Sequence, residues 1–247
     1  MRYALQLAYD GTAYHGWQVQ ENAVSVQGTL QQCLQEIFQI HVELTGCGRT
    51  DTGVHASKYI AHFDTDELPA NLLVRMNRLL PADIRVQQLQ EVNNDFHARF
   101  VASSRSYRYS VHFLPDPFLD KYSLLLHKHP DFEAMNEAAM ILLTQKRFGS
   151  FCKAGGDAKT DFCDVRKARW VPVHEGIWEF QITADRFLRG MVRAITGTLL
   201  QVGYGKINAS AFQDIVESND RKRAGDAAPA HGLTLCSITY PEAYGLR

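Results

Sequence analysis

Paired cysteines are the first thing this 247-residue chain lacks. Its five cysteines, Cys33, Cys47, Cys152, Cys163 and Cys236, are odd in number, irregular in spacing and nowhere arranged as Cys-x-x-Cys. That pattern signals neither a disulfide framework nor a zinc site, and reads as reduced thiols in a cytoplasm. The histidines do not restore a metal reading, because His127 and His129 lie two apart in a strand or loop. No apolar run is long enough to span a bilayer, and the start lacks a basic-then-apolar leader. It reads instead as a strand that begins the fold. A dominant charge sign is missing too. With 26 basic and 27 acidic residues the net charge is −1, so no global field advertises a nucleic-acid partner.

What is present is a globular composition. At 45% hydrophobic and 21% charged residues the chain is far from a disordered profile and can form one large domain or two smaller packed ones. Length alone does not choose between them. The charge is unevenly distributed. Acids gather at Asp64-Thr65-Asp66-Glu67, while bases cluster with aromatics at Arg99 to Tyr109, Lys146 to Lys159, Arg166 to Trp170, Arg186 to Arg193 and Arg221 to Arg223. Repeated basic clusters on a neutral protein point to a basic cleft on an otherwise balanced surface.

Periodicity predicts a strand over 2–9 ending at the turn pair Asp10-Gly11, then a helix over 26–40 with Ser25 as N-cap. A short strand near 42–47, a glycine-rich loop around Asp51 and a strand near 57–63 follow. A helix over 69–79 and a strand over 84–91 complete a ferredoxin-like order. The pattern restarts with a long strand over 99–113, a helix over 131–143 and an irregular loop over 146–161. Strands near 163–173 and 177–184, helices near 186–203 and 208–217, and a strand over 233–239 close it. This predicts two α+β halves with antiparallel sheets.

Three segments can carry chemistry. In the first, Gly46, Gly48 and Gly53 bracket Arg49 and Asp51, a density that permits positive φ and close approach of a ligand to backbone. Asp51 is a carboxylate at neutral pH, available as nucleophile or base; an ordinary Asp-Gly-type turn is the plainer alternative. Asp51-Thr52-Gly53 matches the aspartic-protease triplet, but no second copy exists to share a proton. Gly46-x-Gly48 lacks the third glycine of a dinucleotide fingerprint, and there is no Walker loop.

The second segment is the 99–113 strand. Its period puts Arg105, Tyr107 and Tyr109 on one face, which suits either stacking of unpaired bases or a half-buried strand with its tyrosines in the core. The third runs from Arg186 to Gly197. Helical spacing would align Arg186, Arg189 and Arg193 along one side, near a helix start that favours anions, which suits either an anion or carboxylate as their partner or a solvated basic face.

Together these segments resemble the tRNA pseudouridine synthase A family. Gly48-Arg49-Thr50-Asp51-Thr52-Gly53-Val54-His55-Ala56 is similar to its signature loop, Arg105-Ser106-Tyr107-Arg108-Tyr109 to its base-stacking strand, and Met191-Val192-Arg193 to its arginine-bearing helix. Tyr9-Asp10-Gly11-Thr12-x-Tyr14-x-Gly16-Trp17-Gln18, Val26-Gln27-Gly28, Phe96-x-Ala98-Arg99 and Ala228-Pro229-Ala230-x-Gly232-Leu233 also match, in family order. The chain departs at Lys146-Arg147-Phe148-Gly149-Ser150-Phe151, where members often carry a His-Asp-Phe-type run, and at the distinctive 153–161 stretch.

The resemblance implies an α+β fold of two ferredoxin-like (RRM-like) halves sharing a mostly antiparallel sheet with a basic central cleft. Residues 1–98 would form the half bearing the Asp loop, and 99–247 the half bearing the base-stacking strand and the arginine helix. It implies a homodimeric, cytoplasmic, membrane-free enzyme. This enzyme would convert uridine to pseudouridine at nucleotides 38, 39 and 40 in the anticodon stem-loop of tRNA, without metal or organic cofactor. Asp51 would be the catalytic nucleophile or base, Tyr107 would stack on the uracil, Arg193 would pair with Asp51, and Arg49 would grip the RNA as the base is extruded. The roles of the 146–161 loop, Arg186 and Arg189 stay open. The competing readings are a non-catalytic RNA-binding protein with tandem RRM-like halves and, more remotely, a Cys152 nucleophile acting on a pyrimidine.

Overall fold

The computed structural model describes residues 1–153, 155 and 160–246. The part of the predicted 146–161 loop formed by residue 154 and residues 156–159, and so part of the Lys146 to Lys159 basic cluster, lies outside the described residues. The fold is mixed α+β, with mostly antiparallel strand pairing. The chain divides into two compact units, Met1–Ser103 with Leu235–Arg247, and Ser104–Thr234.

In the first unit β1 (Arg2–Tyr9) lies between β3 (His55–Asp64) and β4 (Ile84–Val92), antiparallel to both, and β9 (Leu233–Thr239) flanks β3. The helix α1 (Val26–Phe38) starts where predicted, because Ser25 accepts the Gly28 N–H at 3.2 Å, and it ends at Gln39 in the left-handed region. Helical spacing puts Leu30, Cys33, Leu34, Ile37 and Phe38 on one face, of which the first four are buried and Phe38 is half-buried. A second helix, α2 (Leu72–Leu79), starts three residues later than expected, after Asn71 at φ 54°.

The expected strand at 42–47 contracts to β2 (Thr45–Gly46), which pairs with β3. Side-chain competition explains the loss: the buried Gln27 amide donates to the Leu44 carbonyl at 2.8 Å and accepts the Val19 N–H at 3.0 Å. Gln27 thus ties the segment after Trp17 to the chain entering the Asp51 loop. The long strand expected from 99 begins only at Ser104. Residues 97–101 are turned instead, with Phe100 and Val101 N–H groups on the His97 carbonyl and the Arg99 N–H on the His97 ring.

The second unit orders its strands β5 (Ser104–His112), β8 (Ile177–Ala184) and β7 (Val165–His174), all antiparallel. A two-residue strand that the sequence did not reveal, β6 (Leu124–Leu125), runs parallel to β5. The helix α3 (Phe132–Thr144) packs on β7, and α4 (Met191–Gly203) and α5 (Ala209–Ser218) pack on α3 and on each other. The Asn136 side chain of α3 both donates to the Trp170 carbonyl (3.1 Å) and accepts its N–H (2.7 Å), so it satisfies strand groups that the ladder leaves open. Among the described residues no helix is long and apolar enough to cross a membrane.

The predicted helix from 186 is corrected. Gly190 sits at φ 69°, and α4 begins only at Met191. Arg186 and Arg189 are therefore in the preceding loop and do not share a helical side with Arg193. The Leu188–Met191 turn, closed by the Met191 N–H on the Leu188 carbonyl, interrupts the spacing. A glycine that can adopt positive φ ends the loop more cheaply than the apolar periodicity can extend the helix.

Candidate active site

Asp51 stands in the 47–54 connection between β2 and β3, half-buried, with Arg49 exposed beside it. A second loop, 10–17, is laid along this connection and fixes it by backbone. The Trp17 N–H donates to the Thr50 carbonyl at 3.3 Å, the Gly53 N–H to the Tyr14 carbonyl at 3.2 Å, and the Val54 N–H to the Asp51 carbonyl at 3.1 Å. Close approach demands glycine on the supporting loop. A Cβ on Gly16 would overlap the Thr50 carbonyl oxygen, and one on Gly11 the Val54 carbonyl oxygen. The Asp10-Gly11 and Gly16-Trp17 pairs of the sequence are thus the bed of the Asp51 loop.

Side chains complete the bed. The Tyr9 hydroxyl meets Thr50 Oγ1 at 2.9 Å, one residue from Asp51. The buried His55 Nδ1 accepts the Gly11 N–H at 3.0 Å and lies 3.1 Å from Asp10 Oδ1, and that oxygen accepts the Thr12 N–H at 2.9 Å. Trp17 and Tyr59 stack at 4.0 Å between centroids, and Tyr9 packs on both rings. Burial pushes the Tyr59 phenol well above its ordinary value, so it remains a neutral donor, and it donates to the Gly48 carbonyl.

The three bracketing glycines were expected to offer backbone freedom to a ligand, and the structure assigns them different reasons. Gly53 has φ 78°. Gly46 has an ordinary φ but no room, since a Cβ would overlap the Tyr59 hydroxyl and fall 2.5 Å from the Trp17 indole nitrogen. Gly48 has neither constraint.

Tyr107 and Arg193 belong to the second unit. Tyr107 is half-buried on β5, opposite Ile182 of β8, and meets Phe187 edge to face at 5.2 Å and 89°. Its strand neighbours on the same face differ from it. Arg105 donates to the Asp185 carbonyl at 2.6 Å, and Tyr109 is fully buried, donating to the Pro229 carbonyl at 2.8 Å. The expected basic and aromatic face is therefore core only from Tyr109 onward, with Arg105 and Tyr107 half-buried. Tyr109 is a structural tyrosine.

Arg193 lies in the first turn of α4. Its Nε donates to the Ala228 carbonyl at 2.7 Å while the Ala228 N–H donates to the Arg193 carbonyl at 2.9 Å. The Ala228-Pro229-Ala230-x-Gly232 run, which the sequence offered without a role, is the cradle of this arginine. Gly232 lies flat on the Tyr109 ring, where a Cβ would fall 2.7 Å from Cζ. Arg186 and Arg189 turn toward the 146–161 segment: Arg186 donates to Thr160 Oγ1 and Arg189 to the Gly155 carbonyl, both at 3.3 Å. The base of that segment is held on α5, with the Gly149 N–H on Asn219 Oδ1 at 2.7 Å and Ser150 Oγ on the Ile215 carbonyl at 2.6 Å.

A carboxylate on a braced, glycine-bordered loop is the candidate reacting group of the first unit, and comparison with known proteins gives the class. Residues 138–241 match the family model described as tRNA pseudouridine synthase. Over nearly its whole length the chain is similar to proteins named tRNA pseudouridine synthase A. It is 48% identical to that of Porphyromonas gingivalis, with 97% of each chain covered. It is 45% identical to that of Bacteroides fragilis, with 98% of this chain and 97% of the relative covered. A third, from Acetivibrio thermocellus, is 41% identical, with 96% and 98% covered. The chain belongs to the tRNA pseudouridine synthase A family.

Proposed function

We propose that this protein isomerises uridine to pseudouridine in tRNA, with Asp51 as the acting carboxylate. In this reaction the N1–C1′ bond of the uridine breaks, the uracil turns, and a C5–C1′ bond forms. The C5 proton leaves and N1 gains one, so the atoms balance without a redox partner or a transferred group. The observation that carries the proposal is the bracing of Asp51, whose loop is tied down on both sides of the carboxylate by Tyr9, Trp17 and Tyr14. A preorganised acid of this kind can act on a reacting centre without waiting for a loop to settle.

The finer reading is part of the same proposal. The targets are nucleotides 38, 39 and 40 of the anticodon stem-loop, the enzyme is a cytoplasmic homodimer, and no metal or organic cofactor takes part. The fold is two ferredoxin-like halves, 1–98 bearing the Asp loop and 99–247 bearing the tyrosine strand and arginine helix. Asp51 acts as nucleophile or base, Tyr107 stacks on the extruded uracil, Arg193 is the cationic partner of the carboxylate, and Arg49 grips the RNA. A base within a stem must leave its stack before a side chain can reach it, so stacking on Tyr107 offsets part of that cost.

The test uses tRNA tritiated at uracil C5. Wild-type protein is expected to release the label without added metal or nucleotide, and Asp51→Asn to bind the RNA without releasing it. Undiminished release by Asp51→Asn would overturn the role of Asp51, and no release from any tRNA by the wild type would overturn the activity.

A further inference from the structure

We infer that Tyr59 is a positioning residue for Asp51, its hydroxyl fixing the arm of the loop that carries the carboxylate. The inference rests on the reading of Asp51 as the acting group. Tyr59 sits in β3, fully buried, with its ring stacked on Trp17. Burying a phenolic oxygen is costly unless it is hydrogen-bonded, so a purely packing role at this position is met more cheaply by phenylalanine. The oxygen bonds neither its own strand nor a helix. It donates to the Gly48 carbonyl and lies 3.4 Å from the Gly48 N–H, so both backbone polar groups of one loop residue close on it.

The surroundings converge on this bond. Gly46 lacks the Cβ that would displace the Tyr59 hydroxyl and the Trp17 indole. The ring of Tyr9 lies 5.7 Å from that of Tyr59, and its hydroxyl reaches Thr50, so the residues at three and at one before Asp51 are each held by a tyrosine oxygen. Gly48 itself has free space where a Cβ would be. Without the Tyr59 hydroxyl, the carbonyl of that residue loses the partner that aims the arm. The reacting group then keeps its chemistry but loses its aim.

The experiment measures kcat and KM for tritium release by Tyr59→Phe, Trp17→Phe and Asp51→Asn, with thermal unfolding of each. Tyr59→Phe is expected to keep the wild-type KM and melting temperature while kcat falls about ten- to hundred-fold, the loss expected from a misaimed group. Trp17→Phe keeps the Tyr59 hydroxyl but shrinks the ring stacked on it, and is expected to lower the melting temperature and to cost less kcat than Tyr59→Phe. Wild-type kcat in Tyr59→Phe, with Asp51→Asn inactive, would overturn the inference and leave Asp51 in place. Equal losses from Tyr59→Phe and Trp17→Phe, accompanied by lower melting temperatures, would also overturn it, because the cluster would then be ordinary core. Undiminished release by Asp51→Asn would remove the reading beneath it. If Tyr59→Phe does not fold, amide exchange in the wild type decides: protection of Gly48 to Asp51 supports the inference, and exchange at exposed-loop rates overturns it.

Discussion

Arg193 and Ala228 hold each other by two hydrogen bonds, the guanidinium Nε on the Ala228 carbonyl and the Ala228 N–H on the Arg193 carbonyl, at 2.7 and 2.9 Å. An arginine in the first turn of a helix faces the positive end of the macrodipole, and this clamp holds it there. The clamp depends on close approach one turn further along, where a Cβ on Gly197 would overlap the Asp226 carbonyl oxygen. Backbone cannot swing aside as a flexible side chain can. Gly197→Ala is therefore expected to push residues 226–228 off α4 and to destabilise the fold by about 1–3 kcal/mol, with a loss of tritium release larger than the stability change explains. Urea unfolding followed by circular dichroism checks it. An unchanged midpoint would mean the segment moves freely and that Arg193 is not held as described.

The glycines bordering Asp51 separate into three predictions. Gly48→Ala meets open space at an ordinary backbone angle and is expected to change stability by less than about 0.5 kcal/mol. Gly53→Ala keeps a positive φ and is expected to cost about 1–2 kcal/mol. Gly46→Ala drives a methyl group into the Trp17–Tyr59 stack and is expected to cost about 1–3 kcal/mol, as overpacking of a filled core does. The order of the three in denaturant midpoint is the measurement. Gly48→Ala as the most damaging would reverse the assignment.

Much of this site was legible in the sequence, because its markers are local. A dense glycine run around an acid and a tyrosine–arginine alternation need no tertiary information, and α1 announced both its cap and its buried stripe. The failures share a cause. The helix expected from Arg186 begins at Met191 because one glycine adopts positive φ, which apolar spacing does not register. Strands 42–47 and 99–113 shorten because the side chains of Gln27 and His97 take hydrogen bonds that the ladder would otherwise use. The supports of the site were invisible for a related reason. Trp17 meets Tyr59, and Arg193 meets Ala228, across separations that periodicity cannot bridge.

Tyr107 makes a stacking prediction that its surroundings sharpen. Phe187 meets its ring edge to face, so the ring is steered whether or not its hydroxyl is present. Tyr107→Phe is expected to keep most of the affinity for tRNA, whereas Tyr107→Ala loses about 1–3 kcal/mol, the worth of one stacked base. Binding titrations at fixed salt measure this, since the phosphate contribution varies steeply with ionic strength. Equal losses in both variants would move the role from the ring to the hydroxyl.

His62 carries a pH dependence of stability in the first unit. The ring is buried in β3, its Nδ1 accepts the Ala98 N–H at 3.3 Å, and the His97 ring lies 5.0 Å away. Burial, helped by the nearby positive charge of Arg2, lowers its pKa from the ordinary 6.5 to about 4. The unfolded chain therefore takes up a proton on this ring near pH 6.5 while the folded chain does not. The stability that neutral His62 contributes is complete above pH 6.5 and is lost as the pH falls toward 4. His97, also lowered by burial first of all, adds to the same trend. Urea midpoints between pH 7 and 4 should thus fall more steeply for the wild type than for His62→Gln, which has no ring to protonate. Asp64 does not mimic this window, because its hydrogen bond to Arg2 holds its carboxyl below the usual carboxylate range and moves its own loss to lower pH. Parallel curves for the wild type and His62→Gln would mean that the ring titrates alike in the folded and unfolded chain, so that burial does not hold it neutral.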